Sequence, residues 1–320
     1  MLEKKINVHT FCLLFALTCG LNLVLNSTQV KAKSKSETRP IVIPDYGGFM
    51  RNVAIGNVGD VQLTSNIAIP LEKQPKPSVA IIFLHSGGFV SGTKDKYNNR
   101  ISKYAQKLNV VAVSTGYRLS PEYGFPAAIE DVKANIRFLK AHAKELNIDP
   151  NKIIVAGSSA GGYLAAMAAV TGNDSSFSKN DLYTEFDSKI QFAMIQSGII
   201  GDFFKPHENA PSPSSKKLSD DIMKRLFRNI DISKEDANKL FSPLSYLDEN
   251  DPPMLITHGD ADPRVPVQIT RDFVRQLEQL NIEHDYYEIK GGTHSLSRSK
   301  PIEARKVRDK LISRIKDLEN

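Results

Sequence analysis

The pentapeptide Gly157-Ser158-Ser159-Ala160-Gly161 fits the pattern G-x-S-x-G, with Ser159 in the serine position. A short apolar run, Ile153 to Ala156, comes just before it, and a run of helix formers, Tyr163 to Ala169, just after. That setting predicts a strand, a sharp turn and a helix. The turn strains the backbone at the serine and lifts its hydroxyl clear at the carboxyl edge of a sheet. Small residues two positions to either side keep neighbouring chain from clashing. Such a hydroxyl attacks a carbonyl carbon when a base takes its proton and a carboxylate orients the base.

With a serine of this kind the acid follows in the chain, and the histidine follows the acid. The histidines after Ser159 are His207, His258, His284 and His294. His207 falls in an irregular insertion. His258 ends an apolar strand and leaves too few residues for an acid before it. His284 sits inside the alternating run Glu283 to Ile289. His294 comes just past that run, after Gly291-Gly292, where a strand end would present it, and is the expected base. The acid is expected in the loop His258 to Pro266, where Asp260 and Asp262 compete. Asp251 lies on the wrong side of the preceding strand.

Negative charge builds on the carbonyl oxygen during acyl transfer, and fixed N–H groups stabilise it by several kcal/mol. His85-Ser86-Gly87-Gly88 follows the apolar run Val79 to Leu84 directly. Glycines let backbone approach a ligand closely and aim N–H groups at it. The N–H of Ala160 is a further candidate donor. His85 reads as a residue that braces this loop by hydrogen bonding.

These residues need a frame. Val79–Leu84, Val110–Ser114, Ile153–Ala156 and Met254–Thr257 are continuous apolar runs of strand length, as in a parallel sheet covered on both faces. Between and after them apolar residues recur at helical spacing: Ile129, Val132, Ile136 and Leu139; Phe273, Val274, Leu277 and Leu280; Val307, Leu311, Ile315 and Leu318. Alternating strands and helices predict an α/β layered fold. Segments 50–57 and 60–68 have no helix between them and predict an antiparallel hairpin at one edge. Residues 201–242 break the rhythm with Pro206, Pro211, Pro213 and two short helical patterns, near 218–229 and 233–240. A long excursion of this type reads as a small cap or lid. There are no internal repeats.

Composition is that of a globular protein, 41% hydrophobic and 24% charged. Lys4 and Lys5 precede a mostly apolar run, Phe11 to Leu25, and Val30-Lys31-Ala32 resembles a cleavage site. Residues 1–32 are therefore expected to be a secretory signal peptide and 33–44 a linker, with the catalytic domain over 45–320. Export to the periplasm or outside the cell follows. The alternative is a chain anchored in the membrane by the uncleaved segment, although Thr18, Cys19, Asn22 and Asn26 interrupt it. The two cysteines, Cys12 and Cys19, both fall there. Beyond residue 32 thiol catalysis and cysteine zinc sites are excluded, and neither metal nor cofactor is expected. The net charge of +6 is scattered apart from a local excess at 297–310, which reads as a solvated helix face and not as a nucleic-acid surface.

From about residue 78 to 297 the chain resembles the bacterial hormone-sensitive-lipase-like and BD-FAE-like esterases of the α/β-hydrolase superfamily. His85-Ser-Gly-Gly-Phe-Val-Ser-Gly-Thr93 is similar to their H-G-G-G block. Tyr117-Arg-Leu-Ser-Pro-Glu122 and Phe125-Pro-Ala-Ala-Ile-Glu-Asp131 resemble their Y-R-L-A-P-E and F-P-A-x-x-x-D runs. Gly157 to Gly161 matches the serine turn. His258-Gly-x-x-Asp262-x-x-Val-Pro266 and Gly291-Gly-Thr-His294 match the acid and base blocks. The resemblance implies a mostly parallel eight-stranded sheet flanked by helices, with a small inserted cap. It implies Asp262, not Asp260, as the acid, and Gly87, Gly88 and Ala160 as the oxyanion donors. Ser86 departs from the pattern by replacing a glycine. The implied activity is hydrolysis of short-chain acyl esters, small molecules or acylated carbohydrates, through a covalent acyl-enzyme. Two alternatives are a serine peptidase of the prolyl-oligopeptidase kind, against which Ala160 and the absence of a propeller-sized segment argue, and a non-catalytic binding relative.

Overall fold

The computed structural model describes residues 47–172, 174–204, 212–228 and 230–319. The signal peptide and linker expected over 1–44 lie outside the described residues, as does His207.

Eight strands form one sheet: β1 (Gly48–Val58), β2 (Val61–Ile69), β3 (Ser78–Leu84), β4 (Val111–Thr115), β5 (Ile148–Ser158), β6 (Phe192–Gln196), β7 (Met254–Gly259) and β8 (His284–Ile289). Their spatial order is β1-β2-β4-β3-β5-β6-β7-β8. The hairpin β1–β2 and the β2–β4 pair are antiparallel; every later pair is parallel. The apolar runs read from the sequence are these central strands, and the hairpin stands at one edge.

A two-residue period sends alternate side chains to opposite faces. Ile82, Leu84, Val113 and Val155 join one apolar layer with helices α2 (Ala127–Ala141), α3 (Ala160–Val170) and α6 (Val267–Gln279). Ile81, Phe83, Ala112 and Ile154 join the other, with α1 (Asn98–Leu108) and α7 (Pro301–Glu319). Both faces are covered, which is why these strands read as unbroken apolar runs.

The insertion holds helices α4 (Pro213–Leu226) and α5 (Lys234–Phe241). The first starts earlier than its apolar spacing suggests. Ser212 caps it by accepting the N–H of Ser215, and Pro213 takes the first turn, where its missing N–H costs nothing. Phe203, Phe204, Ile222, Leu226 and Phe227 are all buried. The Phe227 ring stacks on Phe125 at 5.3 Å, and Phe241 on Tyr163 at 4.2 Å. The described part of the insertion is thus packed onto the sheet domain.

The chain passes from β3 to β4 on one side and then returns across β3 to β5 on the other. At such a reversal the connections after neighbouring strands diverge and leave a crevice at their carboxyl ends. The loop after β3 and the turn after β5, which hold the candidate oxyanion donors and Ser159, flank that crevice.

Candidate active site

Ser159 lies between β5 and α3 with φ 58° and ψ −121°, a conformation costly for any residue with a side chain. Surrounding contacts impose it. The Ser159 N–H donates to Gln196 O on β6 at 2.9 Å, and its own carbonyl accepts the Tyr163 N–H at 2.9 Å. The flanking glycines are obligatory: a Cβ on Gly157 would stand 2.1 Å from Gly161 O, and one on Gly161 would stand 2.3 Å from Leu84 O.

His294 follows β8 and reaches back to this serine. Its Nε2 is 2.9 Å from Ser159 Oγ and its Nδ1 is 2.7 Å from Asp262 Oδ2. An ionised carboxylate only accepts, so Nδ1 carries a proton and Nε2 faces the serine as an acceptor. Asp262 lies just past β7, its side chain fully buried. Its Oδ1 accepts the N–H groups of Arg264 at 2.8 Å and Val265 at 3.1 Å. Burial alone would push this carboxyl up, but hydrogen bonds from His258, His294 and the Arg264 N–H hold it well below the ordinary carboxylate range.

The rival acids have other partners. Asp260 is exposed and accepts the Gly291 N–H at 2.5 Å, which ties the loop carrying His294 to the loop carrying Asp262. Asp251 precedes β7, at the strand's opposite end, where burial raises its carboxyl to about 7.

Sequence reasoning placed His258 at a strand end and gave it no role. The structure puts it on the same carboxylate as His294: its Nε2 is 3.2 Å from Asp262 Oδ2 and 3.0 Å from Val265 O. Both neighbours are acceptors, so Nε2 bears a proton. Thr270 Oγ1 approaches Nδ1 at 2.7 Å. The four-residue spacing from His258 to Asp262 was the only sequence signal for this contact.

The loop after β3 is braced from below. Tyr117 stacks on His85 at 4.1 Å and donates its hydroxyl to His85 O at 2.8 Å. Arg118 is gripped by Asp131, which accepts its Nε at 2.9 Å and its backbone N–H at 2.8 Å. The Tyr117-Arg118 and Asp131 blocks are therefore one support for the candidate oxyanion loop. Gly87 has φ 139°, and a Cβ there would meet Ser91 O at 1.8 Å; Gly88 has φ 60°. Ser86 lines the cavity described below, and its Oγ accepts Lys96 Nζ at 3.3 Å. The Ala160 N–H opens α3 and so has no partner within the helix. Gly87, Gly88, Ala160, Ser159 and His294 all line one cavity of about 670 Å³. That volume suits a small-molecule ligand.

A family model, BD-FAE, matches residues 66–277. Among curated proteins the chain is 32% identical to "Probable carboxylic ester hydrolase LipM" of Mycobacterium tuberculosis over 196 residues, 61% of this chain and 44% of that one. It is 28% identical to Esterase LipC of the same organism over 220 residues, 68% of this chain and 53% of that one. The chain thus spans about half the length of these relatives. Among solved structures, the thermophilic esterase Est2 of Thermogutta terrifontis superposes with a TM-score of 0.66 at 23% identity, covering 83% of this chain and 91% of the other.

Proposed function

The chain belongs to the BD-FAE family, and from that premise we propose that it is an exported serine carboxylesterase acting on short-chain acyl esters. The observation that carries this reading is the unbroken relay Ser159–His294–Asp262, with its contacts of 2.9 and 2.7 Å. Ser159 Oγ attacks the ester carbonyl as His294 Nε2 takes its proton. Asp262 holds the imidazole by its Nδ1 and offsets the charge that forms. Gly87, Gly88 and Ala160 donate N–H groups to the carbonyl oxygen as it becomes an oxyanion. Collapse expels the alcohol, which takes the proton back from His294. Water then repeats the sequence and frees the acid and Ser159. Export is supported by the basic and apolar order of residues 4–25.

A fluorophosphonate that labels Ser159, followed by a comparison of acetyl esters with a proline-linked amide, tests the activity class. Labelling with ester turnover supports the esterase reading. Amide turnover at a comparable rate would make it a peptidase, and no labelling would make it a binding protein.

Acyl length should follow from the buried apolar part of the cavity lining, which includes Phe89, Ile199 and Ile222. Each methylene that fits contributes up to about 0.8 kcal/mol. One that does not fit displaces the carbonyl, and about 1 Å of misplacement can cost a hundredfold. The rate on nitrophenyl esters is expected to peak between acetyl and butyryl and to fall beyond about four carbons. A peak at eight carbons or more would overturn the short-acyl reading.

His258 should act as a positioning residue. A hydrogen bond to a charged group contributes about 1.5–3 kcal/mol. His258→Phe is therefore expected to lower kcat about ten- to a hundredfold with KM little changed. His258→Gln, which keeps a side-chain N–H, should recover part of the loss. Equal losses in both variants, or a loss confined to KM, would rule the role out.

A further inference from the structure

The cavity around Ser159 and His294 has a divided lining. Its buried lining includes the apolar side chains of Phe89, Ile199 and Ile222. Its charged lining is one-sided: Lys96, Arg100, Arg225, Arg264 and Arg298 against the carboxylate of Asp221. The cations do not form a stripe on one helix. They come from the turn before α1, from α1, from cap helix α4, from the loop after β7 and from the short turn Leu296–Ser299 after His294. Four of them, Lys96, Arg100, Arg264 and Arg298, are exposed at the cavity's mouth.

Arg225 has Asp221 at 3.8 Å. Among the described residues, Lys96, Arg100, Arg264 and Arg298 form no ion pair. Among the described residues the Lys96 ammonium reaches the Ser86 hydroxyl at 3.3 Å, and Arg100 lies 4.9 Å over the Tyr97 ring. Cations gathered without counter-charges repel one another. In a cleft with low-dielectric walls their fields add and draw in an anion. The planar guanidinium fork fits carboxylate and phosphate oxygens in particular.

The two linings assign the two halves of an ester. A short acyl group is satisfied by the buried apolar lining, and the alcohol half then projects towards the mouth. We propose that the cationic mouth is a subsite for an anionic group, a carboxylate or phosphate, carried on the alcohol half of the substrate. Hydrolysis leaves that group unchanged and it departs with the alcohol. The proposal rests on the esterase reading above and names the substrate class of the same site.

The test pairs two acetyl esters of similar size, anionic 3-acetoxybenzoate and neutral 3-acetoxybenzamide, each normalised to its uncatalysed hydrolysis. At low ionic strength kcat/KM for the benzoate is expected to exceed that for the benzamide about tenfold or more. The preference should shrink towards unity in about 0.5 M salt, where exposed charges are screened. It should shrink likewise in the double variant Arg264→Gln, Arg298→Gln, whereas Lys107→Gln, on α1 outside the cavity, should retain it. A ratio at or below unity, or one the double variant leaves unchanged, overturns the subsite. Calorimetric binding of the same two esters to Ser159→Ala separates the two readings. A protein that fluorophosphonate fails to label but that binds the benzoate preferentially has lost the esterase reading and kept the subsite. One that is labelled but shows no preference has lost only the subsite.

Discussion

Ser159→Ala is expected to abolish ester turnover, with kcat falling about a millionfold and the fold intact. Loss of the nucleophile in a serine triad typically has that size. The fold should survive because only the hydroxyl is removed. The backbone hydrogen bonds that impose the unusual φ, from Ser159 N–H to Gln196 O and from Tyr163 N–H to Ser159 O, do not involve it. Alanine pays the same strain at this position as serine. Ser158→Ala is the control: its Oγ meets only Gln196 Nε2, at a long 3.4 Å. Steady-state assays on an acetyl ester, with thermal unfolding of each variant, decide the matter. A Ser159→Ala protein that kept a tenth of the parent activity would remove Ser159 from the mechanism.

Asp262→Asn should lower kcat by about ten-thousandfold, the cost of the equivalent change in a related triad. Asp260→Asn should cost far less. The asymmetry follows from hydrogen-bond bookkeeping. Asp262 accepts from donors on both sides: His294 and His258 on Oδ2, and two backbone N–H groups on Oδ1. An amide offers one acceptor oxygen. If that oxygen serves the backbone N–H groups, the amide nitrogen faces both imidazoles as a donor. It then donates to His294 Nδ1 and drives the proton to Nε2, where the ring can no longer accept from Ser159. Asp260 has to accept the Gly291 N–H, which an asparagine oxygen also does. The comparison is made on kcat, with folding checked by circular dichroism. The opposite ranking would move the acid to Asp260.

Much of the architecture was legible because its causes are local. Buried parallel strands must be apolar on both faces, so β3, β4, β5 and β7 stand out as unbroken runs. α2, α6 and α7 show themselves by apolar residues at helical spacing. The serine turn was legible for a related reason: close backbone approach excludes side chains, so Gly157 and Gly161 are written into the chain. The start of α4 was read too far along, because its beginning depends on the Ser212-Pro213 cap and not on apolar period.

Other features depend on residues that are remote in the chain. On spacing alone Asp260 and Asp262 were equivalent, and a family resemblance was needed to separate them. In the folded protein they differ because the loop after β7 buries one carboxylate against two imidazoles and leaves the other exposed. The only local mark of the contact between His258 and Asp262 is their four-residue spacing, and the contact itself depends on how the chain turns after Gly259. The cationic mouth is hidden in the same way. Lys96, Arg100, Arg225, Arg264 and Arg298 read as solvated surface residues, and only Arg298 falls in the local basic excess at 297–310. Amino-acid order alone is enough for strands, helices and a strained serine, since these are governed by a residue's own backbone and near neighbours. Which carboxylate meets the base, and which charges share one cavity, is decided only by the packing of loops that the sheet brings together at its carboxyl edge.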